Sequence, residues 1–149
     1  MRRVLILGLW GMLAGCGLVE PDERDELREM RSVWSAQAIT SYTYTLRRGC
    51  FCTIEAVGPV AITVRDGQVE SLRYVASGDP VTNLTDLWPT MDGLFDLIER
   101  AVAGDADDVV VLFHPDLGYP LTADIDYIAQ AIDDELFLEV LSLTLQLAP

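Results

Sequence analysis

Residues 60–75 constrain the fold of this chain more tightly than any other stretch. Val60, Ile62 and Val64 alternate with Ala61, Thr63 and Arg65, Asp66-Gly67 follows at once, and a second β-prone run extends from Val69 to Val75. Period-two alternation gives each strand one apolar face, and Asp-Gly tolerates the left-handed conformations that a two-residue hairpin turn demands. The two runs must therefore fold back antiparallel over a shared buried face. The alternation slips between Val69 and Leu72, which predicts a bulge there.

The same period recurs at residues 41–46, where Tyr42, Tyr44 and Leu46 share a face. Three later runs, 109–113, 121–127 and 136–147, supply further strands. Two segments switch to helical spacing. Leu27, Met30, Trp34 and Ala38 form a stripe behind an N-cap at Asp22. Leu94, Phe95, Ile98, Ala101 and Val102 form another behind Thr90, ending at Gly104. The order α-β-β-β-α-β-β-β predicts an α+β fold: a mainly antiparallel sheet of about six strands with two helices on one face. Two smaller sheets sharing a core is the alternative.

The first residues read as an address. Arg2 and Arg3 precede a ten-residue apolar run, 4–13, and Leu13-Ala14-Gly15-Cys16 closes it. That run is too short for a permanent span but suits a cleaved signal segment. The tetrapeptide resembles the lipobox of bacterial lipoproteins, in which the thiol of the cysteine receives diacylglycerol. The expected organisation is a signal peptide at 1–15, a lipidated N-terminus and linker at 16–24, and one α+β domain at 25–149. Two or three acyl chains on Cys16 anchor stably where one does not. Gly17 in place of an aspartate, by resemblance to diderm lipoproteins, implies an outer membrane location facing the periplasm.

Charge bears on partners. The 149 residues hold 24 acids against 10 arginines and no lysine, a formal charge of −14. Residues 1–15 contain two arginines and no acid, so the mature chain carries 8 basic and 24 acidic residues, or −16. A body this acidic repels phosphate backbones, which argues against nucleic acid, and is held off anionic headgroups. The expected partners are the membrane through Cys16, and another envelope protein, a peptide or a small ligand through the domain.

Taken together, several motifs resemble one bacterial family. They are Trp34, Ile39-x-Ser41-Tyr42-x-Tyr44, Cys50-Phe51-Cys52, Pro59-Val60 with Val64-Arg65-Asp66-Gly67-x-Val69, residues 94–98, residues 114–120 and Ile125-Asp126-Tyr127-Ile128 with Asp133-Asp134-Glu135. The chain is similar over roughly residues 30–142 to the domain of unknown function 6174, found largely in exported proteins and lipoproteins. It departs from that pattern at His114, where an acid is common, and after Cys52, where a proline is often present. The resemblance implies an envelope address and an α+β fold, and carries no established chemistry.

Candidate chemistry is sparse. No Gly-x-Ser-x-Gly, His-Glu-x-x-His or phosphate loop occurs, so no catalytic residue and no cofactor is expected. Cys50 and Cys52 remain as a thiol pair after lipidation of Cys16. Residues two apart on an extended strand have Cα atoms about 6.6 Å apart, the long limit for a disulfide, so a bridge requires a bend near Gly49. Arg47 and Arg48 beside them would favour thiolates, and a thiol or disulfide-handling protein is the alternative function. Asp124, Asp126, Asp133, Asp134 and Glu135 are weak calcium candidates whose spacing does not fit an EF-hand loop. His114 reads as a turn residue bonding backbone. Trp88 and Tyr119, each in a loop beside a proline, are candidate partner contacts or covers of the core edge. The expected function is a non-catalytic, lipid-anchored binding or scaffolding domain.

Overall fold

The computed structural model describes residues 23–131 and 133–146. Period-two patterning produces β1 (Tyr42–Gly49), β2 (Val60–Arg65), β3 (Gln68–Tyr74), β4 (Asp108–Phe113), β5 (Pro120–Asp126) and β6 (Leu136–Leu145). Helical spacing produces α1 (Glu23–Ala36) and α3 (Met91–Arg100), and a single turn, α2 (Ile54–Val57), follows β1. The strands form one antiparallel sheet in the order β3-β2-β1-β6-β5-β4. Each α-β-β-β half is a meander, and the halves join where β1 pairs with β6. The expected six-stranded sheet is therefore present as a single sheet. The short α2 had no signature in the pattern.

The hairpin at Asp66-Gly67 forms as its composition requires, with φ of 50° and 74°. The bulge falls where the alternation slipped: Thr63 faces Ser71 and Val64 faces Val69, so Glu70 is the extra residue. Two further bulges leave Leu141 extra on β6 and Leu121 extra on β5.

Both long helices cover the same face. Leu27 and Trp34 of α1 and Met91, Leu94, Phe95 and Ile98 of α3 join the inward side chains of the strands in one core. Trp34 stands edge-on to Tyr42 at 5.6 Å and to Tyr119 at 6.1 Å. Ala38 lies outside α1 with φ of 51° and is exposed, so the stripe ends at Trp34. Arg31 clamps the helices together, reaching Asp96 at 2.7 Å and Glu99 at 2.6 Å. Thr90 caps α3 by accepting from the Gly93 N–H at 3.2 Å. Tyr42 accepts the Met91 N–H at 2.8 Å, and the Tyr44 hydroxyl donates to the Pro89 carbonyl at 2.5 Å. Burial pushes the Tyr42 phenol up to about 12 and that of Tyr44 well above its ordinary value.

Among the described residues no helix covers the opposite face of the sheet. Thr43, Thr45, Arg47, Asp124, Val110 and Leu112 belong to this open face by alternation against their buried neighbours. The antiparallel register also sorts the strand ends. The closing residues of β1, β3 and β5 and the opening residues of β2, β4 and β6 gather at one end of the sheet. That end positions the candidate site.

Candidate functional site

Phe51 is the most exposed large apolar residue described, at 86 %. It stands between two cysteines that form a disulfide, with Cα atoms 5.3 Å apart. The required bend is present just beyond β1, where the Cys52 N–H donates to the Cys50 carbonyl at 2.9 Å. Closing a ring around a single residue narrows the backbone states open to Phe51 and holds its aromatic side chain outward.

Next to this loop the open face is concave. A cleft of about 630 Å³ is bounded by Gly49, Cys50 and Phe51 on one side. Asp108, Val110, Asp124 and Asp126 bound it on β4 and β5, and Asp133, Glu135 and Phe137 where β6 begins. The register explains the convergence: Gly49 faces Phe137, Asp124 faces both Phe137 and Val110, and Asp108 faces Asp126. The result is a groove with five carboxylates on its walls and aromatic or aliphatic surface between them. Low-dielectric walls of one sign focus the field and favour a cationic occupant.

The supporting shell is ordered by short polar contacts. The Asp107 N–H donates to the Asp126 carbonyl at 2.8 Å, and the Asp107 carboxylate accepts the Ala129 N–H at 2.9 Å. Asp126 also accepts the Ile128 N–H at 3.1 Å. These bonds fold the 127–131 turn against the start of β4.

Cys50 and four of the five acidic candidates, Asp124, Asp126, Asp133 and Glu135, come together in the cleft. Asp134 does not line it; its two carboxylate oxygens are buried without a hydrogen-bond partner among the described residues. Among the described residues no group of three or more His, Cys, Asp or Glu side chains is placed to hold a metal ion. The acidic calcium candidates thus form no such group among the described residues. The two arginines expected to activate the thiols are engaged elsewhere. Arg47 pairs with Glu139 on the open face. Arg48 turns into the core, where it donates to the Leu87 carbonyl at 3.3 Å and burial lowers its pKa.

Of the two readings open for Trp88 and Tyr119, partner contact or cover of the core edge, their burial agrees with the second and not with the first. They are 1 % and 7 % exposed, because Trp88 fills the space beside Gly58 and Tyr119 packs on Trp34. Both rings cover the core and neither is presented to a partner. His114 is a turn residue: its Nδ1 accepts the N–H groups of Asp116 and Leu117, both at 3.2 Å. Cys16 and the signal segment lie outside the described residues.

Sequence reasoning passed over Phe51, Asp108, Val110 and Phe137. The signal for the last three was parity, since residues opposite a buried alternating set must face the other way. For Phe51 it was the flanking cysteines, which leave a bulky side chain no room to fold back.

A family model described as "Family of unknown function (DUF6174)" matches residues 26–145. No curated protein and no solved structure matches the chain.

Proposed function

We propose that this chain, which belongs to the DUF6174 family, is an exported lipoprotein whose domain binds a cationic ligand without catalysing a reaction. Acyl chains on Cys16 anchor it in the cell envelope, on the outer membrane facing the periplasm where the cell has two membranes. The observation that carries the binding role is the cleft of about 630 Å³, in which five carboxylates surround Phe51, Val110 and Phe137. Sites that take small ligands or peptide segments combine such apolar surface with a few convergent polar groups. The described helices include none long and apolar enough to cross a membrane, so acylation of Cys16 is the attachment this reading relies on.

The test uses purified lipidated protein in nonionic detergent, titrated calorimetrically with a short arginine-rich peptide. A −16 body attracts any cation weakly, so the comparison is between variants. Asp124→Asn with Asp126→Asn should weaken binding at least tenfold. Asp66→Asn with Asp116→Asn, the same charge change at the other end of the sheet, should change it less than twofold. Equal effects of the two pairs would reduce the cleft to diffuse electrostatics and overturn the reading.

A second reading, disulfide exchange at Cys50–Cys52, is favoured by the exposure of Cys52, bonded to the cleft-lining Cys50. Against it stands the engagement of Arg47 and Arg48 away from the sulfurs. Mass spectrometry with and without a dithiol reductant decides the matter. A bridge that resists stoichiometric dithiol at neutral pH excludes an exchange role.

A further inference from the structure

The two edges of the sheet are finished differently. β3 has Glu70 as a bulge and Arg73 as a charge, and the 79–81 segment closes its end. There the Tyr74 N–H donates to the Asp79 carbonyl and the Val81 N–H to the Leu72 carbonyl, both at 3.0 Å. Bulges, charges and a covering segment keep an edge from pairing with another chain. β4, the other edge, has none of these between Val109 and Phe113 among the described residues. That run is wholly apolar, and Val110 and Leu112 are 53 % and 60 % exposed.

The outward backbone groups of β4 follow from the ladder. In an antiparallel strand successive residues direct their N–H and C=O groups alternately to the two sides. The His114 N–H donates to the Tyr119 carbonyl at 2.8 Å, so His114, Leu112 and Val110 face β5. Val109, Val111 and Phe113 therefore turn their groups outward, where no described residue hydrogen-bonds them. Carried through the registers, the same alternation puts Leu72 and Tyr74 on the outer side of β3, where the 79–81 segment is found. Beside the β4 edge, a hollow of about 160 Å³ is lined by Val109, Val111 and Phe113 and by Glu23 and Glu26 of α1. Arg24 fixes that first helical turn by donating to the Val102 carbonyl at 2.9 Å. On the open face β4 contributes Asp108 and Val110 to the cleft. The edge thus runs between carboxylates on both faces of the sheet.

Outward N–H and C=O groups along an edge are satisfied by an extended chain, which adds to the sheet as a further strand. Acid on both faces selects a basic chain, because complementary charge steers the encounter and penalises wrong partners. A second copy would bring its own Glu23, Glu26 and Asp108 to an equally acidic edge, like charge against like. We infer that β4 is a docking edge for an extended basic segment of a partner polypeptide. Alternate side chains of the added strand meet the two faces: apolar ones beside Val110 and Leu112, basic ones beside Asp108 and toward Glu23 and Glu26. The inference rests on the cationic occupancy of the cleft proposed above, and adds the conformation of that occupant and the backbone that holds it.

The experiment titrates lipidated protein in nonionic detergent with the peptide Arg-Val-Arg-Val-Arg-Arg-Arg and two backbone-methylated forms of the same charge. Antiparallel to β4, its third and fifth residues direct their N–H groups to Val111 and Val109, and its second and fourth direct theirs away. N-methylation at the third and fifth residues should weaken binding at least tenfold, and at the second and fourth less than threefold. Amide exchange locates the edge without any substitution. With peptide bound, the Val109, Val111 and Phe113 amides should exchange at least tenfold more slowly, and Val110 and Leu112 should be slow throughout. Equal effects of the two methylation patterns, or no slowing at these three amides, overturn the inference. So does slow exchange at all three without peptide: if concentration-dependent, a second copy fills the edge; if not, residues 17–22 of the chain itself do. If methylation is without effect while Asp124→Asn with Asp126→Asn still weakens binding beyond its control pair, the cleft reading survives and strand addition fails. Loss of both discriminations removes both.

Discussion

Replacing Gly118 by alanine tests how firmly α1 is seated on the sheet. A Cβ at this position would stand 2.4 Å from the Met30 carbonyl oxygen, 2.9 Å from Val33 Cβ and 3.1 Å from the Trp34 nitrogen. Two of those neighbours are backbone atoms of α1, so no side-chain rotation relieves the overlap. The residue also has φ of +77°, a conformation that costs an L-residue about 1–2 kcal/mol. Forcing one carbon into a filled site adds roughly 1–3 kcal/mol. The expected loss is about 3 kcal/mol, which lowers the melting midpoint by roughly 12 °C at this domain size. Gly78→Ala supplies the control, because its φ is +75° but nothing lies within 4 Å of the added carbon. That variant should lose only the conformational share, about 1–2 kcal/mol. The assay is urea unfolding followed by tryptophan fluorescence, since Trp34 sits at the contact. If Gly118→Ala costs no more than Gly78→Ala, α1 does not press on the 114–119 turn as described and the reasoning fails.

Stability should fall in alkali. The Tyr42 and Tyr44 hydroxyls titrate higher in the fold, Tyr42 at about 12, than their ordinary value of 10.0. Their contribution is thus complete below pH 10 and is lost as pH rises toward 12. Urea midpoints should drop across that window, and a Tyr42→Phe, Tyr44→Phe variant should show a shallower drop; an unchanged slope would refute the burial argument. Arg31→Ala removes two partly exposed ion pairs between α1 and α3 and should cost about 1 kcal/mol in 0.1 M salt, less in 1 M. Cys50→Ser with Cys52→Ser opens a very short loop and should cost about 1.5 kcal/mol by chain entropy. A loss above 4 kcal/mol would show that the bridge supports the core as well as Phe51. Cys16→Ser should eliminate incorporation of labelled fatty acid, and continued labelling would refute the anchor.

Much of the architecture was legible because its determinants are local. Asp66-Gly67 sets a hairpin whatever surrounds it, Thr90 offers a cap to whatever helix follows, and the slip between Val69 and Leu72 marks a bulge in its own strand. The Cys-x-Cys bend was legible for the same reason, being a matter of two residues and their reach. Trp88 and Tyr119 stayed open between contact and cover because exposure is not local. A loop aromatic is covered or free according to what packs over it, and here Gly58 and Trp34 supply the seats. Likewise, adjacency of Arg47 and Arg48 to the cysteines suggested thiolate activation, but alternation sends the two side chains to opposite faces.

By itself the sequence determined the six strands and two long helices, their order, the antiparallel hairpins and the strong negative charge, since each follows from period, turn chemistry or composition; the family was legible as a resemblance of motifs. Only the tertiary structure decided that β1 and β6 join the halves into one sheet, and with that which residues meet. Asp108, Asp124, Asp126 and Phe137 are brought together beside Gly49 by strand register, and register depends on every bulge and buried face in the sheet at once. Patterning can say which way a side chain points. Which carboxylates become neighbours, and at which end of the sheet they stand, is settled only when the whole core closes.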